Sequence, residues 1–111
     1  MALASDFNDR RVRVTGTIEA DGTTSSIFDM GGSVACAIEF PAAVVGTVVT
    51  FTVANNQGDT IIALNGVSKT VQEGEAVPLD VTDFLGYRYI KIVSNDTETS
   101  EITLALIGHP V

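Results

Sequence analysis

The chain has 111 residues, with 6 Lys and Arg against 14 Asp and Glu, a formal net charge of −8 at pH 7. One self-sufficient core is possible at this length and two full domains are excluded, since about 100 to 150 residues is the usual domain. Hydrophobic residues at 45% and charged residues at 18% exclude a disordered chain, and an isoelectric point near 4.2 disfavours nucleic acid, whose phosphates are held by clustered Lys and Arg.

Met1 to Arg11 carry Leu3 and Phe7 as their large apolar side chains besides Met1, and read as an N-terminal arm (1–11) ahead of a single domain (12–111). This stretch lacks a basic segment followed by an apolar one, so it does not read as a secretory leader. The longest apolar run, near Ala42 to Val49, falls well short of the roughly 18 residues of a membrane span, and no membrane partner is expected. From Arg11 onward, apolar residues recur with a period of two. Val12 and Val14 alternate with Arg11, Arg13 and Thr15; a short candidate follows at Ile27 to Met30; and Val34, Cys36, Ile38 and Phe40 share one face. Val49, Phe51 and Val53 form the next segment. Asn65-Gly66 then predicts a type I′ hairpin joining Thr60 to Leu64 with Val67 to Val71, because both central residues of that turn need positive φ. Ala76 to Leu79 is a short strand. Asp80 to Gly86 predicts a single helical turn with Asp80 as N-cap and Gly86 as stop. Ile90 and Ile92, then Ile102, Leu104 and Leu106, complete the pattern. Eight or nine short strands with one apolar face predict an all-β fold, a two-sheet antiparallel β-sandwich that is jelly-roll-like.

Few residues suit catalysis. The one His, His109, lies two residues from the C-terminus beside Pro110, where a solvated or packed role outweighs that of a base. Asp80 with Asp83 and Asp96 with Glu98 are the carboxylate pairs open to glycoside hydrolysis, but each sits in a turn-like stretch where a solvated loop is the simpler reading. No catalytic residue, cofactor or metal is expected: one Cys and one His do not make a zinc site, and no calcium loop pattern appears. Cys36 has no disulfide partner and reads as a small core residue, made in a reducing cytoplasm. The residues that suggest contact with a partner are different ones. Arg10, Arg11 and Arg13 compress three of six basic residues into four positions, either a docking handle or an edge strand protected by charge. Tyr87 and Tyr89 share one parity of their strand, opposite Ile90 and Ile92, and suit a subunit contact or a small sugar platform.

Three stretches carry a resemblance: Phe40-Pro41-Ala42-Ala43-Val44-Val45-Gly46-Thr47 running into Val48 to Val53, Val77-Pro78-Leu79, and Asp83-Phe84-Leu85-Gly86-Tyr87-Arg88-Tyr89-Ile90-Lys91-Ile92-Val93-Ser94. With the final Ile102-Thr103-Leu104-Ala105-Leu106, they resemble a pattern of small β-sandwich virion proteins of tailed bacteriophages, over about residues 34–107. The resemblance implies a non-enzymatic capsid cement or decoration subunit, a homotrimer on the outer surface of the head that binds the major capsid protein, made in the host cytoplasm and located in the virion. It implies, alternatively, an accessory tail or fibre module that binds carbohydrate or another tail protein. It supplies no catalytic residue, and Phe51, Phe84, Ile90 and Ile92 read as structural. On the cement reading Leu3 and Phe7 are the expected apolar anchors of the lattice or intersubunit contact, with Arg10, Arg11 and Arg13 steering toward acidic surface; the carbohydrate reading uses Tyr87 and Tyr89.

Overall fold

Alternation of apolar and polar residues produces strands, and a computed structural model that describes residues 11–55, 58 and 60–110 places eight of them. They are β1 (Val12–Ile18), β2 (Phe28–Asp29), β3 (Ser33–Glu39), β4 (Val48–Ala54), β5 (Ile62–Thr70), β6 (Ala76–Pro78), β7 (Tyr89–Ser94) and β8 (Ile102–Pro110), with one helical turn, α1 (Val81–Phe84). The sheets run β1-β8-β3-β6 and β2-β7-β4-β5, and every pairing is antiparallel. The nested pairs β1:β8, β2:β7, β3:β6 and β4:β5 are those of one long ribbon folded between β4 and β5. Pairing of β3 with β8 and of β4 with β7 rolls that ribbon up, which is the jelly roll the sequence leads one to expect.

The core lies between the inner faces. Val49, Phe51, Val53, Ile90 and Ile92 from one sheet meet Ile38, Ile102, Leu104 and Leu106 from the other, all buried. Asp80 caps α1 by accepting from the Thr82 amide at 3.0 Å, and Gly86 takes φ 88° just beyond it. That turn drops Phe84 onto Phe51 edge to face, with ring centroids 5.0 Å apart, closing one end of the core.

Three expectations are corrected. Asn65-Gly66 makes no hairpin: Gly66 has φ 79° but Asn65 is not in the positive region, and the residues on both sides pair with β4 instead of with each other. Leu64 to Val67 loop out opposite Phe51 as a wide irregularity of one continuous β5. Cys36 is half-buried, because it is the extra residue of a bulge between Ala35, opposite Gly108, and Ala37, opposite Ile107; its thiol donates to the Ile107 carbonyl at 3.3 Å. Val12 is 37% exposed. β1 is an edge strand, and one of its inward-facing positions is Gly16, where a Cβ would stand 2.6 Å from the Phe28 ring, while Ile18 carries its buried side chain.

The loop reading of Glu98 also fails, since this residue is 1% exposed. Its carboxylate accepts from the amides of Val45 at 2.9 Å and Gly46 at 3.0 Å and from the Ser94 hydroxyl at 3.2 Å. Its own backbone exchanges hydrogen bonds with Asp21 and Gly22. Beside it, Asn95 Oδ1 accepts from Thr47 and Val48. Gly46 has no room for a side chain, because a Cβ there collides with Ser94 Oγ.

Replacing Glu98 by Ala orphans three buried or half-buried donors at about 1–3 kcal/mol each, so the unfolding free energy falls by about 3 kcal/mol or more. Gly46→Ala costs about 1–3 kcal/mol by overpacking. Urea denaturation measures both, with exposed Glu101→Ala as the control, expected within about 0.5 kcal/mol of the parent.

Candidate functional site

At the end of the sandwich away from Glu98, two turns face each other across a cleft of about 200 Å³. One turn joins β2 to β3: Asp29 Oδ1 accepts from the Gly31 amide at 2.9 Å, Gly31 adopts φ 58°, and the Ser33 amide donates to the Met30 carbonyl. The other is the exit from α1, where the Tyr87 amide donates to the Phe84 carbonyl and Gly86 reverses the chain into β7. The two are joined by a backbone bond from the Met30 amide to the Arg88 carbonyl and by an ion pair. Arg88 Nε donates to Asp29 Oδ1 at 2.8 Å, and Nη2 donates to Oδ2 at 3.1 Å.

Arg88 also lies over the ring of Tyr89, 5.1 Å from its centroid, a cation–π contact. The Arg88 hydrogen bonds, reinforced by the Gly31 amide, hold the Asp29 carboxyl below the usual carboxylate range, and Asp29 in turn raises Arg88. At the cleft wall Tyr87 is half-buried against the core and Leu85 is 50% exposed. Gly31 and Gly32 complete the opposite lip, and a Cβ on either meets no atom within 4 Å.

The partner residues expected from the sequence are dispersed. Leu3, Phe7 and Arg10 lie outside the described residues. Arg11 is exposed ahead of β1, and Arg13, on the outer face of β1, donates to Glu39 Oε1 at 3.0 Å across β8. Tyr87 and Tyr89 do not form a joint platform. Tyr87 precedes β7, so strand parity does not govern it and it turns onto the core, whereas Tyr89 sits on the outer face of β7 beneath Arg88. Asp80 is committed to capping α1, its carboxyl held low by the Thr82 hydroxyl and amide, and His109 is exposed with Nδ1 2.9 Å from the Pro110 carbonyl oxygen. Among the described residues, no three His, Cys, Asp or Glu side chains group as metal ligands. Asp29, Gly32, Leu85 and Arg88 escaped the sequence reading. Asp29 two residues ahead of a Gly-Gly was the available signal, but the Arg88 that meets it is 59 positions away.

No protein-family model matches the chain, and no curated protein matches it. Solved structures share its fold. CBM32-1 from a family 31 glycoside hydrolase of Clostridium perfringens superposes with a TM-score of 0.55 at 14% identity, covering 89% of this chain and 76% of that one. The SPBc2 prophage-derived protein YomS gives 0.54 at 14% identity, covering 88% and 93%. CBM62 from Clostridium thermocellum Xyl5A gives 0.53 at 22% identity, covering 82% and 71%. These likenesses establish the β-sandwich.

The lowered Asp29 carboxyl sets a pH dependence. A depressed group stabilises the fold above the ordinary aspartate range, and this contribution is lost as pH falls through the lower folded-state value. Carbon-detected NMR titration therefore finds Asp29 protonating below the ordinary aspartate range. Arg88→Leu moves the midpoint upward, with the Gly31 amide retaining part of the shift.

Proposed function

We propose that this chain is a non-enzymatic module of a phage particle, a decoration subunit that binds the outer surface of the head and stabilises it. The observation that carries the reading is where the N-terminal arm joins the sandwich. It precedes β1, an edge strand paired on one side only among the described residues, whose first residue, Val12, is exposed beside Arg11. In this reading the residues that precede β1 reach a neighbouring subunit or the lattice. Leu3 and Phe7 are its apolar anchors, and Arg10 and Arg11 steer it toward acidic surface. Arg13, held by Glu39, belongs to the subunit's own face. Of the four carboxylates open to acid–base chemistry, Asp80 is engaged in capping α1 and Glu98 in clamping the β3–β4 loop. The sandwich of a prophage-derived protein, matched over nearly the whole of both chains, is in keeping with a phage setting.

Three copies engaging a lattice together multiply weak contacts, with avidity exceeding a single site by about a hundredfold or more where geometry allows. The partner in this reading is the major capsid protein, the assembly a homotrimer and the location the virion. A second reading, an accessory tail or fibre module that binds carbohydrate, draws on the open cleft beside Arg88 and on two neighbours named as CBM modules.

Heads lacking this protein provide the test. A variant without residues 1–9 binds them at least about tenfold more weakly than the full chain, since burying one Leu or Phe is worth about 1.5–3 kcal/mol. Arg11→Glu has a smaller effect that fades as salt rises, because exposed charges are screened. Equal binding by all three proteins across a salt series removes the arm from the interface, and failure of the full chain to bind heads overturns the decoration reading.

A further inference from the structure

We propose that the cleft between the Asp29–Ser33 turn and the Phe84–Arg88 turn binds a single neutral sugar ring, gripped through adjacent hydroxyls by the Arg88–Asp29 pair. The inference rests on the carbohydrate reading above and gives it a site and a ligand class.

A guanidinium carries five N–H donors. Asp29 takes two of them, one from Nε and one from Nη2, and among the described residues Nη1 donates to no protein acceptor. Asp29 in turn accepts three hydrogen bonds, from Arg88 Nε, Arg88 Nη2 and the Gly31 amide, leaving acceptor capacity on a carboxylate that offers about four sites. Arg88 lines the cleft and Asp29 stands beside it without lining it, so free donors and free acceptor capacity adjoin the cleft in a pair whose charges cancel.

That combination selects among ligands. A phosphate or carboxylate uses the donors but is repelled by Asp29, and an ammonium group meets the opposite difficulty at Arg88. A hydroxyl both donates and accepts, so two neighbouring hydroxyls satisfy both edges of the pair and the ligand brings no charge of its own to be desolvated. The pair is held in place before a ligand arrives, by the Tyr89 ring under the guanidinium and by the Gly31 amide on the carboxylate, so little ordering is left to be done on binding.

The rest of the cleft suits the other face of a sugar. Tyr87 and the half-exposed Leu85 offer apolar surface to ring C–H groups, and the bare backbone at Gly32 leaves the opposite side open. A volume of about 200 Å³ is below the roughly 300–1,000 Å³ of sites for drug-sized ligands, so the cleft takes one ring and not a chain of them. Binding by one copy is correspondingly weak, and an assembly of copies supplies the avidity.

The experiment uses the full chain on an array of neutral and acidic glycans, followed by NMR titration with the free monosaccharide that terminates the best-bound neutral glycan. Two variants accompany it. Gly32→Trp fills the cleft at a position that is not in the positive-φ region, and Arg88→Leu removes the donors; thermal melting verifies that each is folded. The expected result is binding to neutral termini, weakened at least tenfold by each folded variant, with monosaccharide-induced shifts centred on Gly31, Gly32 and Arg88. Preference for sialylated or uronate glycans overturns the neutral-ligand inference while leaving the carbohydrate reading in place. Glycan binding that survives Gly32→Trp with shifts elsewhere overturns the site alone. Absence of binding to every glycan overturns the carbohydrate reading and this inference together.

Discussion

A buried carboxylate holds the roll closed. Glu98 sits in the β7–β8 connection, its side chain takes the amides of Val45 and Gly46 in the β3–β4 connection, and its backbone is bonded to Asp21 and Gly22 in the β1–β2 connection. Each of these three segments crosses from one sheet to the other. The fourth crossing at this end, from β5 to β6, is tied to the same β3–β4 loop: Glu73 accepts from the Val44 amide, and Val71 and Gly74 donate to the carbonyls of Thr47 and Pro41. An isolated carboxylate in this position would be prohibitive. Hydrogen bonds to an ionised acceptor, at about 1.5–3 kcal/mol each, offset its desolvation. The Gly46 backbone approaches Ser94 and Glu98 as closely as it does because it carries no Cβ.

The clamp divides the molecule into two unlike ends. The four loops around Glu98 hold Glu19, Asp21, Glu73, Glu75, Asp96, Glu98 and Glu101 and none of the six basic residues, so half of the 14 acidic residues gather there. The other end carries Arg11 and Arg88 together with Asp29, Asp80 and Asp83, the helical turn, the cleft and the start of β1. A single-sign field at the Glu98 end favours solubility and disfavours contact with acidic surfaces there. Rigidity at the clamped end also lets the far turns be positioned by the sheets themselves. Asp29 and Arg88 are brought together because β2 and β7 pair at Phe28–Ile90 and Asp29–Tyr89.

What the sequence determined by itself was everything governed by local periodicity and local turn chemistry. Alternation placed Val49, Phe51, Val53, Ile90, Ile92, Ile102, Leu104 and Leu106 in the core, because inward and outward positions alternate on any strand with one buried face. Asp80 and Gly86 bounded α1, because a cap is made with an amide two residues away. The tertiary structure alone decided whatever depended on partners distant in the chain. Asn65-Gly66 carries hairpin chemistry, yet its flanks found a longer strand, β4, to pair with, and pairing across the sheet outweighed the turn. Cys36 left the core through a bulge set by the register against β8. Glu98 read as a solvated loop residue until the β3–β4 loop brought it two amides from 52 and 53 positions away, and Asp29 acquired its meaning only when Arg88, 59 positions on, closed the cleft. A carboxylate's local sequence does not reveal whether water or buried amides will satisfy it, since that is fixed by chain segments that meet only when the ribbon has rolled.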